Sequence, residues 1–60
     1  SGLNAAYFLA YNYDYNFIRP DSAKKFYDWI IKYHNSSDQA KPSKVRLAFI
    51  TKIINDKNKQ

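Results

Sequence analysis

No other stretch restricts the fold of this chain as much as Ser22 to His34. At 100° per residue, Ala23, Phe26, Tyr27, Ile30, Tyr33 and His34 gather on one broad face, while Lys24, Lys25, Asp28 and Lys32 take the opposite one. Trp29 falls on the seam between them. Asp28 stands four residues before Lys32, the favourable order for an exposed helical ion pair, with Lys24 one turn behind. An apolar face this wide needs neighbours on more than one side, so the remaining segments must wrap around this helix. The expectation is a small all-α domain of three helices.

Size sets the next limit. With 60 residues the chain makes one domain, near the lower bound at which a core holds without staples. It has no cysteine, which rules out disulfides and thiolate metal cages, and His34 is its single imidazole. Six Tyr, four Phe and one Trp must therefore supply most of the buried area. The lack of cysteine suits a reducing compartment, and the N-terminus shows no basic stretch before an apolar one; an intracellular location is expected. Leu3 to Tyr11 is too short to span a bilayer, so no transmembrane segment is expected.

Leu3 to Tyr11 is rich in Ala and Leu, which favour helix, yet from Tyr7 the odd positions read Tyr7, Leu9, Tyr11, Tyr13, Tyr15, Phe17. That alternation is strand-like, but a lone strand has no partner in this chain. The expected result is a helix over 3–11 followed by an ordered, Tyr-lined connection to Arg19. Pro20-Asp21-Ser22 marks the next boundary: Asp21 or Ser22 is placed to accept from the first free amides of a helix over 22–34, closed by His34 or Asn35. Asn35 to Pro42 is polar, aperiodic and reads as a loop. Ser43 is a good N-cap for a third helix over 44–55, with Pro42 and Leu47 spaced as a hydrophobic staple. The tail from Asp56 to Gln60 is polar and expected to fray. Ile30, Phe26, Leu47, Ile50 and Ile54 are expected at the centre of the core.

Charge is distributed unevenly. Residues 1 to 18 carry only Asp14, whereas residues 41 to 60 carry Lys41, Lys44, Arg46, Lys52, Lys57 and Lys59 against Asp56. This polarity suits nucleic acid or an acidic protein surface as a partner, although a lysine-rich tail also serves plain solubility. The third helix is the sharpest candidate for a nucleic-acid site. Its free amides and positive dipole end lie beside Lys41, Lys44 and Arg46, and Lys44, Ala48, Thr51, Lys52 and Asn55 form a small, hydrogen-bonding face suited to a major groove. Arg46 projects into the apolar sector, either with its stem over the core and its guanidinium in solvent, or meeting an anion.

The competing expectation is a protein-interaction module. Tyr11, Tyr13 and Tyr15, with Trp29, are the residue types that anchor interfaces. They also serve as core filler with hydroxyls turned to water. Asp14 and the lack of lysine around the tyrosines argue against a nucleic-acid groove there. Catalysis is not expected. No nucleophile and carboxylate are arranged with His34, no two Asp share a helical face, and Gly2 is the single glycine, which excludes a phosphate loop. No cofactor, metal or small-molecule substrate is implied.

Tyr13-Asp-Tyr-Asn-Phe-Ile-Arg-Pro20, followed by the Ser22–His34 helix and then Ser43-Lys44-Val45-Arg46-Leu47, resembles the order of a ribbon-helix-helix repressor over residues 11 to 55. That resemblance implies a β-α-α dimer with strands paired between subunits and a DNA-facing strand. The chain departs from the pattern in a longer loop between the helices and in Asn12, Asp14 and Asn16 on the strand face that would meet DNA. An aspartate there repels phosphates.

Overall fold

Pro20 sets the start of the central helix. Its fixed φ suits the first helical position and its missing N–H costs nothing there, so the helix begins two residues before the expected Ser22. The structure, a computed structural model, describes residues 2–59 and contains three helices: α1 (Gly2–Tyr15), α2 (Pro20–Tyr33) and α3 (Ala40–Asn58). Arg19 is the N-cap of α2 and makes no side-chain capping bond; Asp21 instead places its charge in the first turn, against the helix dipole. His34 ends the helix as expected, its backbone N–H donating to the Ile30 carbonyl at 2.7 Å.

α1 continues to Tyr15, so the segment after Tyr11 is helix rather than a connection. No strand occurs among the described residues, which overturns the β-α-α dimer of ribbon-helix-helix type. The physical reason lies in the spacing. Tyr7, Tyr11 and Tyr15 alternate at period two, but they also stand at i, i+4 and i+8, and Tyr13 and Phe17 are one helical turn apart. The helix is chosen because it buries Ala6 and Ala10 and carries Tyr13 and Asp14 into partly buried positions. A tight corner then reverses the chain. The amides of Asn16 and Phe17 both donate to the Asn12 carbonyl, and Arg19 N–H reaches the Tyr13 carbonyl at 2.7 Å. Ile18 turns this corner at φ 53°, a left-handed conformation unusual for a β-branched residue.

α3 begins at Ala40, four residues before the expected Lys44, and runs to Asn58 instead of stopping at Asn55. Ser43 is therefore not the N-cap. It sits inside the helix, fully buried, with its hydroxyl donating back to the Gln39 carbonyl at 2.7 Å. Pro42 is tolerated within the first turn because amides there lack intrahelical partners. Gln60, the last residue of the expected frayed tail, lies outside the described residues.

Both outer helices pack against α2. Asn4 at the start of α1 meets Gln39 at the start of α3, and Asp14 further along α1 meets Arg46 of α3, so these two helices run in the same direction with α2 opposed. The molecule is elongated, 39 × 20 × 13 Å across its Cα atoms. Its core comes in two clusters. Ala10, Ala23, Tyr27 and Ile50 form one, and Ala6, Ile30 and Ala40 the other. Ile30 and Ile50 are buried as expected, but Phe26, Leu47 and Ile54 pack at the periphery. Alanine and one serine occupy the seams, which lets the helix backbones lie close and moves the large side chains outward.

Candidate interaction surface

Asp14 is the hinge between the core and the surface. One of its carboxylate oxygens accepts from Arg46 Nε at 2.7 Å and from the Tyr27 hydroxyl at 2.9 Å; the other accepts from Arg46 Nη2 at 2.8 Å. The side chain is only 5% exposed. Burial by itself pushes this carboxyl up, but the hydrogen bonds from Arg46 and Tyr27 and the nearby guanidinium outweigh it and hold the group below its ordinary value. Burial, followed by the bond to Asp14, raises the Tyr27 phenol well above its ordinary range. Three helices thus meet in one charged, hydrogen-bonded node.

Arg46 is fixed in place by that node, and what surrounds it defines a surface. Its guanidinium carbon lies 4.9 Å from the Tyr15 ring centroid and 5.7 Å from that of Phe49. Tyr11 continues the row, its ring 4.6 Å from that of Tyr15. Tyr15 is 47% exposed and Phe49 57%. Phe8 on α1 and Val45 and Ile53 on α3, all exposed, extend the same face one turn in each direction. These positions lie on the sides of α1 and α3 turned away from α2. The result is a continuous apolar and aromatic face crossed by one neutralised arginine.

The residues expected to meet nucleic acid divide into two groups. Lys41, Lys44, Lys52 and Asn55 are exposed on one arc of α3, and none of the three lysines is in an ion pair within the described residues. Thr51 is half-buried at the edge of that arc. Arg46 leaves the group: the expected solvent-facing guanidinium is bound by Asp14, because a buried carboxylate on α1 needs a cation and α3 brings this one to it.

The aromatic candidates separate as well. Tyr11 and Tyr15 share the face just described, whereas Tyr13 turns inward and stacks on Phe26, ring planes 8° apart and centroids at 5.9 Å. Trp29 lies on a different surface, against Tyr33 and His34 at 5.6 and 5.0 Å, beside an apolar hollow of about 490 Å³ formed with Leu9 and Phe26. A second, more polar hollow of about 630 Å³ lies at the α1–α2 corner between Phe17, Ile18 and Lys57. Asp28 bonds back to Lys24 at 2.9 Å and not forward to Lys32, which lies over the Tyr33 ring. Phe8, Val45, Phe49 and Ile53 are exposed residues of this face to which the sequence assigned no binding role. Their apolar character alone suits a core position as well as an exposed one, so the sequence held no signal that set them outside.

Among the described residues no three His, Cys, Asp or Glu side chains come together in a way that would hold a metal ion. None of the described helices is long and apolar enough to cross a membrane. The fold and surface define a three-helix domain with an exposed aromatic face. Comparison of the chain with protein-family models, curated proteins and solved structures yields no match.

Proposed function

We propose that this domain is a non-enzymatic protein-interaction module that works through the α1–α3 face. The observation that carries the reading is the unbroken row Tyr11, Tyr15, Arg46, Phe49 on the side away from α2. A chain short of core volume gains nothing in stability by holding these rings in water, while tyrosine, arginine and phenylalanine in a pre-ordered cluster are the residue types that anchor interfaces. The guanidinium held between the two rings keeps them from collapsing on each other and orders the surface before a partner arrives.

A photo-crosslinking side chain in place of Phe49, used in extracts of cells that express the protein, should give a discrete protein adduct. The same group at Ala48, on the opposite arc, should not, and Tyr15→Asp should remove the adduct. Adducts of equal yield from both positions, or with nucleic acid alone, would overturn the reading.

A second reading is favoured by the shared exposure of Lys41, Lys44, Lys52 and Asn55: nucleic-acid binding through the outer arc of α3. Under it, affinity for generic duplex DNA falls steeply with salt, and Lys44→Ala with Lys52→Ala flattens that slope by about two charges' worth. Absence of binding at low salt would remove it.

A further inference from the structure

We propose that the occupant of the α1–α3 face is a single amphipathic helix of another protein, with acidic residues flanking its apolar stripe. The inference rests on the interaction-face reading above and adds the shape and charge of the partner.

Shape comes from the spacing of the exposed side chains. Phe8, Tyr11 and Tyr15 stand at i, i+3 and i+7 on α1, and Val45, Phe49 and Ile53 at i, i+4 and i+8 on α3. Each row is therefore about 10–12 Å long, two helical turns. α1 and α3 run the same way, and Arg46 bridges the two rows by reaching both the Tyr15 and the Phe49 ring. A helix laid along them meets both rows with residues at i, i+3 or i+4, and i+7, as helix-in-face recognition does. A peptide that adds as a β-strand would need a sheet edge to pair with, and the described residues contain no strand.

Charge identifies the flank. At 100° per residue Lys41 and Lys52 border the Val45–Phe49 side of the stripe, and both are exposed outside any ion pair of the described residues. Asp14, the nearest acid on α1, is taken by Arg46 and Tyr27 and presents no free charge. Asp56 is the one acid on that arc and lies near its C-terminal end. A partner helix with Glu or Asp beside its apolar stripe meets cations, whereas a second copy of this chain brings the same lysines and a formal charge of +5. Single-stranded nucleic acid would find rings to stack on, but the arginine among them is already neutralised and α1 offers no cation.

The test uses three synthetic helical peptides with the same Leu/Ile stripe and with Glu, Gln or Lys at the flanking positions, titrated into the isotopically labelled 60-residue chain. The Glu peptide is expected to shift the amides of Tyr11, Tyr15, Phe49 and Ile53 and to bind about tenfold more tightly than the Lys peptide. Lys41→Glu with Lys52→Glu should invert that order, and Phe49→Ala, an exposed truncation, should weaken all three. If the peptides bind this face with equal affinity, and the double variant changes nothing, the acidic partner is wrong while the interaction face stands. If none binds here, or all settle beside Trp29, the face itself is wrong. Sedimentation of the chain as a dimer blocked by Phe49→Ala would replace the partner helix with a second copy and overturn the proposal.

Discussion

Asp14 shows how one side chain links stability to surface. Asp14→Asn removes the charge that Arg46 answers and weakens the bond that satisfies the buried Tyr27 hydroxyl, at a cost of about 2 kcal/mol. A double-mutant cycle with Arg46→Met, followed by chemical denaturation, should give a coupling of about 1–2 kcal/mol. Coupling near zero would mean that the pair contributes nothing beyond its separate parts. The same node sets the pH limits. Asp14 has a folded-state pKa below its unfolded value, so its contribution is complete above about pH 4 and disappears as pH falls through the folded value. Tyr27 is raised, so its contribution is complete below about pH 10 and disappears above it. Melting temperature against pH should therefore show a plateau between two declines. Asp14→Asn should flatten the acid limb, and Tyr27→Phe the alkaline one. Ser43→Ala should cost well under 1 kcal/mol, since the hydroxyl bonds back within its own helix and caps nothing.

The ends of the elements carry the strain and the errors of expectation. Ile18 closes α1 in the left-handed region while its side chain stands 69% exposed. Relief of the backbone strain should then outweigh any lost contact, so Ile18→Gly is expected to stabilise by about 1 kcal/mol, raising the melting temperature by ~4–8 °C. A lower melting temperature would show that the Ile18 side chain holds the corner in a way its exposure hides. The presence and order of the three helices were readable from spacing and propensity, but most of their boundaries were not. Ser43 has the features of an N-cap, yet Ala40 and Ser43 are the residues small enough to face α2, and burying them draws the helix start back to Ala40. α1 reaches Tyr15 for a comparable reason: its last turn carries the Asp14 carboxylate onto Tyr27 and Arg46.

At the scale of the whole molecule, close packing of small residues explains both the thinness of the domain and its exposed rings. Ala23 is fully buried at the centre, against Ala10, Tyr27 and Ile50. Ala23→Leu should wedge the helices apart and cost about 3 kcal/mol, whereas the volume-conserving Ile50→Leu should cost about 1 kcal/mol. In a domain whose total stability is about 3–9 kcal/mol, the first change brings the chain close to unfolding at body temperature and the second does not. Equal tolerance of both, measured by denaturant midpoint, would mean the seams are looser than the structure has them. With little room between the helices, Tyr11, Tyr15, Val45 and Phe49 are left outside, and the exposed aromatic face is the direct consequence.

The sequence by itself determined three helical segments, their order, the centre of the fold on residues 22–34, and the basic bias of residues 41–60. Hydrophobic period and turn residues are local properties, and they survive into the structure wherever a single helix can satisfy them. Tertiary structure alone decided which face of α1 is buried, where α1 and α3 start and stop, and that Arg46 pairs with Asp14. The helical wheel cannot make those choices, because an apolar side chain faces inward only if a neighbour is there to receive it. In this chain alanines share the inner positions with Tyr27, Ile30 and Ile50, and Phe26, Leu47 and Ile54, which local pattern assigns to the centre, pack at its periphery.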